Sequence, residues 1–350
     1  MGYHLSLVSL AEKTLGAFGK TTTWLLFLFL FYSLNVAYIG ASGPILQSLF
    51  KDFLKISIPA WVGSLLFTSL FAFVIYKGMR SVDYLNRLLM LALLLSYIVL
   101  VFLGASYVKK ENLFQGEFKY AFIALPILVI SFGFHNMIPT LAEYFKGDRT
   151  RLQITVFLGS LVPLIIYLIW EMVMLGIIPI EGKQGLIQGL KEGEPVTEVL
   201  RTLLGRSWVA SVAEAFSLFA IITSFLAQSL SLVDFLADGL KIKKEKKNRL
   251  FLIMLTLLPP FISAFLYPKV FIHALNMAGG FSAVILFGVF PVLMVWKLRY
   301  REKENKPLLF GGRFLLILIF LFAWAVFTIE LSEELGWELL PKKGRVADVE

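Results

Sequence analysis

About nine stretches of this chain are apolar over a length that spans the hydrocarbon core of a bilayer, and this feature constrains the fold more than any other. They cover residues 21–46, 60–76, 88–107, 120–142, 154–179, 209–235, 251–267, 274–296 and 313–332. A core of about 30 Å needs roughly 20 helical residues at about 1.5 Å each. Hydrocarbon offers no partner to backbone N–H and C=O groups, so a segment of that length must satisfy them itself, as a helix does. Composition agrees: 58% of residues are hydrophobic and 16% charged, and the mean hydropathy is +0.79. An ordinary soluble domain is about 45–50% apolar and about 25% charged. The expectation is an all-α integral membrane protein. It has an amphipathic segment over residues 1–20, one transmembrane domain over 21–332 and a charged tail over 333–350. The long connection 180–208 contains Gly182, Gly185, Gly189, Gly193 and Pro195 and reads as a surface loop with one short helix.

The net charge of +9 belongs to the loops. Residues 241–249 and 297–313 are strongly basic and emerge on the same side of the membrane. Positive loops stay inside, so the N-terminus is expected to be cytoplasmic and the C-terminus periplasmic. No basic stripe interleaved with exposed aromatics is present, so the expected partner is the lipid bilayer and not nucleic acid. With 0 cysteines and 3 widely separated histidines, neither a disulfide framework nor a metal site is expected. The chain carries no Walker loop, dinucleotide fingerprint, HExxH or GxSxG motif. The expectation is no enzyme and no cofactor.

Polar residues within the spans point to function. In the fourth span, Ser131, Gly133, His135 and Asn136 lie between Pro126 and Pro139 near mid-membrane. Glycine and two prolines weaken a continuous helix, and an interrupted helix exposes backbone groups of the kind from which transporters build their sites. An intramembrane His–Asn pair is a functional candidate by default. The competing reading is a Pro-kinked helix whose His and Asn bond to neighbouring helices. The sixth span carries Ser217, Ser224, Gln228 and Ser231 on one face, suited to lining a path or to bonding between helices. The first span repeats the pattern with Asn35, Tyr38 and Ser42. Residues 276–283 of the eighth span are mostly small, which favours close helix packing. Glu171 in the fifth span reads either as a proton-handling group or as a structural partner. Glu330, Asp234 and Asp238 lie near span ends and read as interfacial.

Several segments carry a family resemblance. Residues 131–141 (SFGFHNMIPTL) resemble a specific segment of the tryptophan/tyrosine, or aromatic amino acid, permeases. Residues 159–171, 175–179, 219–226 and 234–238 resemble further stretches of that family, as do Leu258-Pro-Pro260, Leu266-Tyr-Pro268, Ala278-Gly-Gly280 and Glu330-Leu331. The similarity runs in order over nearly the whole chain. It implies the leucine-transporter-like helical bundle of the amino acid–polyamine–organocation superfamily. It also implies import of tyrosine or tryptophan across the bacterial inner membrane, by alternating access and driven by the proton gradient. On that reading Ser131, Phe132, Gly133, Phe134, His135 and Asn136 form one half of the substrate site. Asn35, Ser224 and Gln228 complete the cavity, and His135 and Glu171 are the coupling candidates. Family members usually have about eleven spans, the first opening with a glycine-rich run that has no counterpart here. Residues 1–19 resemble the stretch between the family's second and third spans, so the present spans correspond to the third onward. The alternative reading is a shortened relative that persists as a non-transporting scaffold or sensor, or with no activity.

Overall fold

Among the described residues, eight helices are long and apolar enough to cross a membrane, and a ninth stretch, residues 118–144, is interrupted. The computed structural model describes residues 7–115, 118–192, 194–205, 208–243, 245–267, 269–298 and 312–335. The long helices are α1 (Leu7–Leu49), α2 (Ala60–Lys77), α3 (Met79–Gly104), α6 (Arg149–Ile177), α9 (Trp208–Gly239), α10 (Lys246–Leu266), α11 (Phe271–Trp296) and α12 (Gly312–Glu334). The interrupted stretch holds α4 (Leu125–Ser131) and α5 (Ile138–Tyr144). The connection after α6 forms two short helices, α7 (Leu186–Glu192) and α8 (Val196–Leu204), where the sequence suggested one. The extra helix follows from Pro195. Its fixed φ suits a helix N-terminus, and Pro195 stands in the N-cap position of α8. Of the segments anticipated from sequence, most of 297–313 and of the tail 333–350 lies outside the described residues.

The chain divides into two compact units. Residues 1–30, 117–167 and 275–350 form the first, and 31–116 and 168–274 the second. In the first unit, α1 bends at Gly16, whose φ of 78° and ψ of −160° only glycine adopts without strain. Lys20 pairs with Glu12 across the bend at 2.9 Å. The core of this unit gathers Ala11 of α1, Val284, Val289, Phe290 and Met294 of α11, and Ala323 and Val326 of α12. Within α11, residues Ala278–Ala283 and Ile285–Val289 follow the wider i→i+5 winding rather than an α-helix.

In the second unit α3, α6, α8 and α9 bury Leu100, Met174, Ile178, Leu200 and Ala213 in one cluster. The α1–α2 contact is made through glycine. A Cβ at Gly43 would lie 2.6 Å from the Ala60 carbonyl oxygen, and one at Gly63 would lie 2.7 Å from that of Gly43. Such backbone approach is how membrane helices gain packing energy, since lipid tails are as apolar as Leu. One helix-breaking residue has a visible substitute donor. Pro259 of α10 has no N–H to offer Leu255 four residues back, and the Tyr32 hydroxyl donates to that carbonyl at 2.7 Å. At the end of α6, the Gly176 carbonyl accepts from Lys109 N at 2.9 Å and Asn112 Nδ2 at 3.0 Å.

The outer faces of these helices are apolar. Leu88, Leu91, Leu95 and Phe102 on α3 are exposed, as are Ile154, Phe157, Val162 and Leu168 on α6. In water such surface would be a liability. In a bilayer it is the face turned to the acyl chains.

Candidate functional site

The interruption lies where glycine and the two prolines led one to expect it. α4 ends at Ser131, residues 132–134 leave the helix, and a single 3-10 turn, His135–Met137, leads into α5. Each proline sits within the first turn of its own short helix, Pro126 in α4 and Pro139 in α5, where the missing N–H costs nothing. The prolines therefore start two helices and do not kink one. The break itself is local: Gly133 N donates to the Ile130 carbonyl at 2.9 Å and Phe134 N to that of Phe132 at 3.0 Å. A Cβ on Gly133 would stand 2.8 Å from the Ile130 oxygen, so a side chain there would push the turn apart. The freed carbonyl of Ser131 accepts from the Tyr167 hydroxyl at 3.2 Å, and the Ser131 hydroxyl donates back to Ile127 at 2.8 Å.

Aromatic rings enclose the break within the first unit. His135 stacks on Phe287 of α11 with centroids 4.8 Å apart and planes 10° apart. Phe134 lies 5.7 Å from His135 at 29°, and Phe27 of α1 meets Phe287 edge-on at 6.3 Å. On the other flank Phe132 meets Tyr167 edge-on at 5.6 Å. His135 Nδ1 is buried and has no hydrogen-bond partner among the described residues. A buried polar atom left unmatched in an apolar, aromatic surround is costly, and a ligand group that satisfied it would recover that cost. Asn136 shares the 3-10 turn through its backbone, and its side chain lies outside the described residues.

The remaining sequence candidates lie in the second unit, where they separate. Asn35 is fully buried, and its amide is spent on packing: Nδ2 donates to the Phe31 carbonyl at 2.9 Å and Oδ1 accepts from the Ser229 hydroxyl at 2.7 Å. Ser224 and Gln228, also on α9, are half-buried and make no hydrogen bond among the described residues. They remain available where Asn35 does not. Ser231, on the same sequence face, is exposed and bonds to the Ala227 carbonyl at 2.8 Å. Glu171 is exposed on α6 and has no hydrogen bond or ion pair among the described residues, so the structural partner considered for it is not found there.

Glu330, which read as interfacial from its place near a span end, is buried within the protein at 1% exposed, lying against Gly280, where a Cβ would fall 2.5 Å from its Cγ. The adjacent Gly279 meets a different neighbour, a Cβ there running into the Pro126 carbonyl oxygen. The glycine pair of α11 thus separates α4 from the Glu330 carboxylate with backbone alone. This is the packing role expected for residues 276–283, with an acidic group at one side of it. Phe27, Phe287 and Tyr167 were not singled out from sequence. In a chain with 33 phenylalanines and 12 tyrosines, ring identity alone carries little signal.

Comparison with known proteins follows the same outline. The signature of the tryptophan/tyrosine permease family matches residues 1–330. The tyrosine-specific transport system 1 of Haemophilus influenzae is 33% identical, over 94% of this chain and 82% of that protein. A tryptophan-specific transport protein of Pseudomonas aeruginosa is 29% identical over 95% of this chain and 81% of its own length. The low affinity tryptophan permease of Escherichia coli is 28% identical over 90% and 77%.

Proposed function

The chain belongs to the tryptophan/tyrosine permease family, and from that membership we propose that it imports tyrosine or tryptophan across the bacterial inner membrane by alternating access, driven by the proton gradient. The observation that carries this reading is the interrupted helix, whose break presents a buried, unmatched imidazole nitrogen beside stacked rings. Apolar aromatic walls suit a planar ring, which gains from offset or edge-on contact as well as from burial. Backbone groups released at a break suit the charged ends of an amino acid. His135 and Glu171 remain the candidates for coupling. The relatives named for tyrosine and for tryptophan transport support the substrate class.

The test uses the purified chain in proteoliposomes. Radiolabelled tyrosine and tryptophan are offered with and without an inward proton gradient. Gradient-driven accumulation of either is the expected result. No uptake and no exchange by folded protein would overturn the reading and leave the non-transporting alternative. His135→Gln then separates roles. Loss of accumulation with exchange retained marks coupling, and weakened exchange marks binding. Normal transport per folded molecule at reduced yield marks a structural part.

A further inference from the structure

We propose that the basic end of the second unit, where the α2–α3 turn meets the start of α10, is a binding surface for an anionic phospholipid. Arg249 lies in the first turns of α10, its N–H donating to the Glu245 carbonyl at 3.0 Å. Its guanidinium rests on the α2–α3 turn, with Nη2 3.0 Å from the position a Cβ would take at Gly78. Gly78 has a φ of 110°, so glycine is needed there both for its backbone and for the space. The contact brings Arg249 to the turn whose near neighbours in sequence are Lys77 and Arg80. The α9–α10 connection folds over the same helix start: the Lys243 carbonyl accepts from Glu245 N at 2.8 Å and from Asn248 Nδ2 at 3.1 Å.

Lys77, Arg80, Lys241, Lys243 and Arg249 form no ion pair among the described residues, and the Lys77 ammonium lies over the Phe73 ring at 4.6 Å. Of the carboxylates nearby in the chain, Asp83 is taken by Arg87 at 2.9 Å, Asp234 and Asp238 have interactions of their own, and Glu245 is exposed.

The neighbouring surface decides what kind of anion fits. Phe73 and Tyr76 of α2, Leu88 of α3, and Phe251 and Met254 of α10 are exposed along the helices that carry these cations. A free anion would use the cations alone. A phospholipid uses both, with its phosphate on the basic cluster and its chains along the apolar faces. Clustered Lys and Arg at the ends of membrane helices attract anionic headgroups in this way.

The test measures lipid retention by the full chain purified in neutral detergent, read by native mass spectrometry. Phosphatidylglycerol and phosphatidylcholine with the same chains are titrated separately. Phosphatidylglycerol is expected to bind about tenfold more tightly, and the advantage should shrink as salt is raised. The double variant Arg249→Gln/Lys243→Gln should lose most of that advantage, while Arg249→Lys keeps it. Arg87→Gln, remote in charge because Asp83 already holds Arg87, should leave it unchanged. Should the double variant fail to fold, the exposed pair Arg80→Gln/Lys243→Gln takes its place. Equal retention of the two lipids, or an advantage untouched by the variants, would overturn the proposal. So would displacement by millimolar inorganic phosphate, which would make the surface a free-anion site.

Discussion

Replacing Asn35 with alanine tests whether this residue packs the fold or binds substrate. The residue is fully buried, and its Oδ1 holds the Ser229 hydroxyl at 2.7 Å. The substitution removes that acceptor and leaves a small void, at a cost of about 1–3 kcal/mol if the hydroxyl stays unmatched. The cost is reduced if the Ser229 hydroxyl rotates onto its own helix, four residues back, as serines in helices do. Double-mutant cycles in membrane helices average about 0.6 kcal/mol and reach about 1.7 kcal/mol per hydrogen bond. The expected coupling between Asn35→Ala and Ser229→Ala is therefore about 0.5–1.5 kcal/mol, with Asn35→Ala alone costing about 2 kcal/mol. The measurement is reversible unfolding in mixed micelles of the four proteins in the cycle, alongside substrate exchange per folded molecule. Exchange should be unchanged, since the amide is fully buried and already engaged at both its oxygen and its nitrogen. Zero coupling, or a tenfold loss of substrate affinity at unchanged stability, would refute the packing assignment.

Gly279→Ala should destabilise by about 1–3 kcal/mol, because its methyl would meet the Pro126 carbonyl at 2.0 Å. Gly159→Ala, where nothing lies within 4 Å, should be neutral or slightly stabilising by thermal unfolding. Burial, then the Glu198 and Glu192 carboxylates, raise the proton affinity of Glu194 in the α7–α8 connection, against the opposing pull of Arg201 and Lys269. The folded state then holds this proton more tightly than the unfolded chain. Its contribution is complete below the ordinary glutamate range and is lost as pH rises through the raised value. Glu194→Gln should flatten that part of the stability–pH profile and stabilise the protein at neutral pH. For topology, cysteine at the exposed Lys191 should react with an impermeant thiol reagent on spheroplasts and cysteine at the exposed Lys243 should not; the reverse pattern would invert the orientation. Gly189 is a poor reporter, since a Cβ there would fall 2.2 Å from Val199.

The spans and the break were legible because their causes are local. Runs of about 20 apolar residues, and prolines flanking a glycine, act within one segment. The site was only half legible, because its remaining causes lie between segments. The spacing of Ser217, Ser224, Gln228 and Ser231 placed them on one face of α9, but periodicity cannot say what that face meets. The residue that bonds to Asn35 is Ser229, one position off the stripe after Gln228. Glu330 read as interfacial from its place near a helix end, yet a glycine on a different span gives it room to be buried. The stacking of His135 on Phe287 joins residues about 150 positions apart and has no local signature.

The wide winding of α11 bears on how the length of this span can vary. Each i→i+5 turn carries one residue more than α-helical winding would use. Deleting that residue would let the segment relax into an ordinary α-helix with its axis and both ends nearly in place. Because the wide turn closes with one residue more than an α turn, its loss leaves the halves on either side facing as before. Such a chain would still cross the bilayer with Phe290 and Met294 in their seats, and only the residues of the wide turn itself, Gly279 and Gly280 among them, would change neighbours. A one-residue gap in this span is thus absorbed within the turn and changes neither facing nor reach beyond it. A relative that carries one should need compensating changes opposite the glycine pair, and none at the helix ends.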